Sequence, residues 1–159
     1  MSTQTTLEPS RFENAQQLLI AGVRERFETV ENIPALWQRV MAYHIPNRAG
    51  KTAYGLCFNC RGGTGNSEYL AGVEVSDFSD LPSDVSHVSL PPQKYAVFSH
   101  RGHVSQLWKT CEQIGKWLEQ SGYESSHPVA GTPDFLERYS EEFNPQMGTG
   151  GMEVWVPLA

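Results

Sequence analysis

The chain is short of cysteine, of concentrated basic charge, of long apolar runs and of the motifs that mark common catalytic sites. Its 3 cysteines are an odd count, so disulfides are not expected to hold it together. No stretch approaches the roughly 20 apolar residues that cross a bilayer, and the polar opening MSTQTTLEPSRFENAQQ has neither the basic end nor the hydrophobic run of a secretory signal. A cytoplasmic protein without a membrane partner is predicted. Its 12 Lys and Arg are scattered among 18 Asp and Glu, for a net charge of −6. That balance argues against nucleic acid as a partner of this chain and favours a small cationic one. No G-x-S-x-G elbow occurs, and Gly62-Gly63-Thr64-Gly65 lacks the Lys-Ser/Thr of a phosphate loop. Hydrolase and nucleotide signatures are missing, and no cofactor is expected.

What is present reads as one unit written twice. At 159 residues with 39% hydrophobic content, the chain suits one domain with a sizeable core. A flexible tail is expected over residues 1–13, then a single domain over 14–159 with repeats at about 14–80 and 86–159. The first copy opens on Leu18-Leu19-Ile20-Ala21-Gly22-Val23 as a strand. A helix follows, with Asn32 as N-cap, Pro34 in the first turn, and Ile33, Leu36, Trp37, Val40, Met41 and His44 at helical spacing. Segments 52–59 and 69–75 then form a hairpin around the glycine-rich stretch 61–66. In the second copy, strand 95–101 precedes a helix marked by Val104, Leu107, Trp108, Cys111, Ile114, Gly115 and Leu118, with His103 or Ser105 near its start and Gly122 as its stop. Segments 134–140 and 152–158 close the chain as a second hairpin. Leu36-Trp37-Gln38 echoes Leu107-Trp108-Lys109, and Val73-Glu74-Val75 echoes Met152-Glu153-Val154. A seam between two copies is a natural pocket.

Three groups of residues invite a chemical reading. Cys57-Phe58-Asn59-Cys60 has C-x-x-C spacing, but it ends a strand instead of opening a helix and has no second pair to complete a zinc site. His100 and His103 lie three apart at a strand-to-helix turn with no carboxylate nearby in sequence, so no metal is assigned to them. The third group is Glu74, Glu137 and Glu153, each within an apolar or aromatic strand, together with Trp37, Tyr54, Tyr69, Trp108, Tyr139 and Trp155. A carboxylate in apolar surroundings needs compensation, because desolvation disfavours its charged form. Arg138 or Arg24 would supply an internal ion pair; a bound lipophilic cation would supply the charge from outside, with the rings adding cation–π attraction. Alternation puts Glu137 with Tyr139, and Glu153 with Trp155, on one face of their respective strands. Two carboxylates and two aromatics are expected to converge.

The segments LLIAGVRERF, IPALWQRV, YGLCFN, YLAGVEV, LPPQKYAVFSHRGHVSQLWKTCEQIGKWLEQSG, FLERYSEEFNP and MEVWVPL, in that order and spacing, resemble the GyrI-like family. That family includes the effector-binding domains of AraC-type and MerR-type drug-responsive regulators, and the resemblance is nearest to stand-alone cationic drug-binding proteins of integron cassettes. It implies an α+β fold: a duplicated strand-helix-strand-strand (SHS2) repeat with pseudo-twofold symmetry, an antiparallel sheet, two long helices and a central ligand cleft. It also implies that Glu137 with Tyr139, and Glu153 with Trp155, line the cleft, with Tyr54 and Trp37 from the first half; Glu74 is added from the repeat, and Tyr69 and Trp108 complete the aromatic set. The expected function is non-enzymatic binding of amphipathic cations such as drugs, quaternary ammonium compounds and dyes. With so short an N-terminal stretch, no helix-turn-helix domain is expected, and transcriptional control by this chain alone is not expected either. Alternatives are a hydrolase of the same family with a cleft Glu as general base, and a gyrase-inhibitor-like protein contact through Ser140-Glu141-Glu142. Exposed sheet edges leave room for a homodimer, and a transcription-related partner is the other expectation.

Overall fold

The structure, a computed structural model, describes residues 8–26, 33–43, 45–58, 68–100, 102–123, 133–144 and 147–158, with the side chains of Ile33, Pro34, Ser105 and Trp108 outside that description. In chain order the elements are β1 (Arg11–Ala15), β2 (Leu18–Arg26), α1 (Ile33–Ala42), β3 (Arg48–Phe58), β4 (Glu68–Val75), β5 (Ser86–Leu90), β6 (Gln93–His100), α2 (Leu107–Ser121), β7 (Phe135–Tyr139) and β8 (Met152–Pro157). The predicted strand-helix-strand-strand unit is therefore present twice, as β2-α1-β3-β4 and β6-α2-β7-β8. All pairings are antiparallel, in the order β1-β6-β8-β7-β3-β4-β2-β5, and the sheet curls into a half-barrel. Read outward from the β3–β7 junction, each side runs through the second, third and first strands of its copy. It then ends on the strand that precedes the other copy. This is the pseudo-twofold arrangement of a duplicated α+β fold.

The two edge strands are absent from the sequence reading. β1 falls across the expected tail: Phe12 and Glu13 pair with Ala96 and Tyr95, so the chain is ordered in the sheet before residue 14. RFENA and SHVSL are short and carry polar or charged residues, as edge strands commonly do, and that composition hides them from a search for apolar runs.

The sheet buries both faces. Ala21, Val23, Tyr69, Ala71 and Val73 pack with Leu36 and Val40 of α1. Phe98, Met152, Val154 and Val156 pack with Leu107, Ile114 and Trp117 of α2 on the same side. Each such aliphatic side chain contributes about 1.5–3 kcal/mol through burial. The opposite side holds Ile20, Tyr54, Leu56, Leu70, Tyr95, Val97, Leu136 and Trp155. Helix faces depart from the predicted stripes at two points. Met41 is 77% exposed, and Trp117, outside the predicted stripe, is buried and stacks on Tyr123 at 5.4 Å. A short 3-10 turn over Val104–Gln106 leads into α2, which has no side-chain cap at Gln106 and stops at Gly122 in the left-handed conformation (φ 81°), where glycine carries no Cβ penalty. Asn32, His44 and the glycine-rich stretch lie outside the described residues.

Trp37 of α1 touches the core clusters of both copies, as do Ala53 of β3 and Phe135 of β7. The predicted seam is thus a physical junction, roofed by α1 and floored by β3 and β7.

Candidate functional site

At that junction stands Glu137, the one buried acidic side chain among the described residues, 7% exposed. Its Oε1 accepts hydrogen bonds from both Tyr69 (2.6 Å) and Tyr139 (2.7 Å). Trp37 Nε1 donates in turn to the Tyr69 hydroxyl at 3.2 Å, and the Trp37 ring stands edge-on to Tyr139 (5.4 Å) and Tyr69 (6.3 Å). No Lys or Arg among the described residues pairs with Glu137. Its Oε2 has no hydrogen-bond partner there and yet is not sealed from solvent. Burial pushes the Glu137 carboxyl above its ordinary range, against the opposing effect of the two phenols. Tyr69 and Tyr139 are held well above theirs by burial and by the adjacent carboxylate, so both remain hydrogen-bond donors at neutral pH.

Gly55 makes this geometry accessible. It lies opposite Glu137 in the β3–β7 ladder, and a Cβ built there would stand 1.9 Å from the Tyr69 hydroxyl and 2.8 Å from Glu137 Oε1. The phenol of Tyr69, on β4, crosses β3 through the space that a side chain would fill. Glycine inside a strand is a signal of such close approach, and it is the site residue that the sequence reading passed over.

Glu153 does not join this group. β7 and β8 pair with Arg138 opposite Glu153 and Glu137 opposite Val154, so the two glutamates project from opposite faces of the sheet. Convergence of the two carboxylates is therefore corrected: alternation held within each strand, but the register between strands separates them. Glu153 takes a two-pronged pair from Arg11 (2.6 and 3.1 Å), a bond from Arg138 (3.4 Å) and one from Trp155 Nε1 (3.1 Å). Burial raises its carboxyl, but the bonds from Arg11 and Trp155 and the charges of Arg11 and Arg138 outweigh that and hold it below its ordinary range. Arg138 also approaches the Tyr54 hydroxyl at 3.4 Å. The internal ion pair anticipated for Arg138 is real, while Arg24 pairs with Glu68.

The nine predicted residues thus divide. Glu137, Tyr139, Tyr69 and Trp37 meet under α1. Glu153, Trp155 and Tyr54 lie on the other face, and Glu74 follows them, since it alternates with the helix-facing Val73 and Val75 of β4. The side chain of Trp108 lies outside the described residues. An open cleft of about 250 Å³ runs past Glu153, Arg138, Ser99, Ser140 and Glu142, but Glu153 in its lining is already paired with two arginines; the cradle at Glu137 is the stronger candidate.

Two further readings resolve locally. His100 donates from Nε2 to the His103 carbonyl (2.9 Å), and its Nδ1 faces the Thr110 hydroxyl at 2.7 Å, so both ring nitrogens serve the turn into α2. Cys57 is buried in β3, and Cys60 lies outside the described residues. Among the described residues no helix is long and apolar enough to cross a membrane.

Comparison with known proteins agrees with this architecture. The GyrI-like small molecule binding domain family matches residues 8–159. The transcriptional regulator BrlR of Pseudomonas aeruginosa is 31% identical over 137 residues, covering 80% of this chain and 47% of the regulator, so the chain spans about half the length of that relative. SAV2435, solved bound to tetraphenylphosphonium, superposes with a TM-score of 0.68 at 21% identity, covering 94% of this chain and 93% of that one. An integron cassette protein of Vibrio cholerae superposes with a TM-score of 0.63 at 15% identity and 96% coverage of both chains. At these identities the two solved structures speak for the fold.

Proposed function

The chain belongs to the GyrI-like small molecule binding domain family, and we propose that it binds lipophilic cations, without turnover, against Glu137. One observation carries this reading: a buried carboxylate whose described neighbours include no cation and whose Oε2 is left unpartnered. A buried charge without a counter-charge is costly, and an incoming cation would relieve that cost. The surrounding rings of Trp37, Tyr69 and Tyr139 offer flat apolar surface and cation–π attraction of about 0.5–2 kcal/mol each. Such contacts demand little exact geometry and suit a family of ligands. The tetraphenylphosphonium carried by SAV2435 has this chemistry, and the match to part of a transcriptional regulator supports a ligand-reading module. Of the predicted set, Glu137, Tyr139, Tyr69 and Trp37 are retained as the ligand-binding residues; Glu153, Trp155, Tyr54 and Glu74 are assigned to the opposite face.

Titration with tetraphenylphosphonium, followed by tryptophan fluorescence, tests this. The expected result is saturable binding by the wild-type protein that is lost in a folded Glu137→Gln variant. Equal binding by both proteins would remove the proposed role of the charge.

A further inference from the structure

We propose that the site selects monovalent cations and rejects compact dications. The inference rests on the cation-binding reading above and goes on to set the charge of the ligand. Glu137 is the one buried acid among the described residues. The other two carboxylates drawn from the sequence, Glu74 and Glu153, lie across the sheet from it, and Glu153 is already paired with Arg11 and Arg138. Among the described residues, the groups hydrogen-bonded to Glu137 are two phenols, themselves in contact with an indole. Phenols held far above their ordinary range by burial supply no second negative charge.

A monocation at Oε2 therefore leaves the cradle with no net charge. A dication of the same size leaves one positive charge under α1 among aromatic side chains, without an anion among the described residues to meet it, and burying an unmatched ion is strongly disfavoured. A long dication whose second charge reaches solvent would bind as a monocation does and gain nothing from that charge.

Three compounds of nearly one shape separate the cases: 1-methyl-4-phenylpyridinium with one charge, 1,1′-dimethyl-4,4′-bipyridinium with two, and 4-phenylpyridine, uncharged at mildly alkaline pH. Calorimetric titration of the wild-type protein is expected to rank the monocation first, with the dication at least about tenfold weaker. In Glu137→Gln the monocation should fall to the affinity of 4-phenylpyridine, while Glu153→Gln should keep the wild-type order. If the dication equals or exceeds the monocation while both exceed the neutral compound, the monovalent rule is overturned and cation binding stands. If 4-phenylpyridine binds as tightly as the monocation, or if none of the three binds, the cation reading itself falls and this inference with it.

Discussion

Glu137 and Glu153 stand on neighbouring strands, each with an aromatic residue two places further along, and they end in opposite surroundings. Glu137 lies on the α1 side and, among the described residues, accepts hydrogen bonds from two tyrosine hydroxyls beside the Trp37 ring. Glu153 lies on the opposite face of the sheet and is held between two guanidinium groups and an indole N–H. Burial acts on both carboxyls in the same direction, yet one is raised and the other lowered. Counter-charge, more than burial or aromatic company, separates the two acids. Glu153 contributes to the attachment of β1, whose Arg11 reaches it across β6, while Glu137 has no Lys or Arg partner among the described residues.

The largest effect that separates them should be on cation affinity. Removing the charge of a buried, hydrogen-bonded partner costs about 2–5 kcal/mol, so Glu137→Gln should weaken tetraphenylphosphonium binding roughly 30-fold or more. Glu153→Gln should change it by less than about threefold, because its charge is neutralised within the protein. A comparable loss in both variants would dissolve the distinction between the faces. Next in size is Gly55→Ala. The added methyl would meet the Tyr69 hydroxyl and Glu137 Oε1, and overpacking of this kind costs about 1–3 kcal/mol. Chemical denaturation should show that loss together with weaker cation binding; a variant with wild-type stability and affinity would show that the phenol does not need that passage.

The smallest expected effect is on stability against pH, and its signs are opposite for the two acids. A raised carboxyl binds its proton more tightly in the folded than in the unfolded chain, so ionised Glu137 disfavours folding above its raised value and that penalty fades as pH falls toward the ordinary range. A lowered carboxyl does the reverse: Glu153 stabilises the fold above the ordinary carboxylate value, and that contribution is lost as pH falls through its depressed one. Without ligand, Glu137→Gln should therefore melt at or above the wild-type temperature at neutral pH and converge on it in acid. Glu153→Gln should melt below it at neutral pH and likewise converge. Melting curves from neutral to acid pH check both, and shifts of the same sign would contradict the assignment.

Much of this was legible in the sequence because it depends on local pattern. The apolar runs at Leu18 and Tyr95, the two helices with Leu36 and Trp37 of α1 and Leu107 and Ile114 of α2 turned to the core, the stop at Gly122 and the alternation within β7 and β8 follow from neighbours along the chain. Glu137 was likewise identifiable as an acid within an aromatic strand. The edge strands were not, because β1 and β5 gain their order from ladders with β6 and β2, not from residues that favour strands in isolation. The separation of Glu137 from Glu153 was hidden for a related reason. Alternation fixes which residues of one strand share a face, whereas a register step of one residue between strands decides whether two such faces coincide. Arg11 shows the cost of that blindness: assigned to a tail, it proves to be the nearest counter-charge of Glu153.

The measurement that bears most directly on this account is the position of a bound cation. Tetraphenylarsonium, of the same shape and charge as tetraphenylphosphonium, carries an arsenic atom that anomalous scattering locates in a crystal of the complex. The account predicts that atom on the α1 side of the sheet, with its phenyl groups against Trp37, Tyr69 and Tyr139 and Glu137 as the nearest carboxylate. An arsenic peak on the opposite face, beside Glu153 and Trp155, would contradict it.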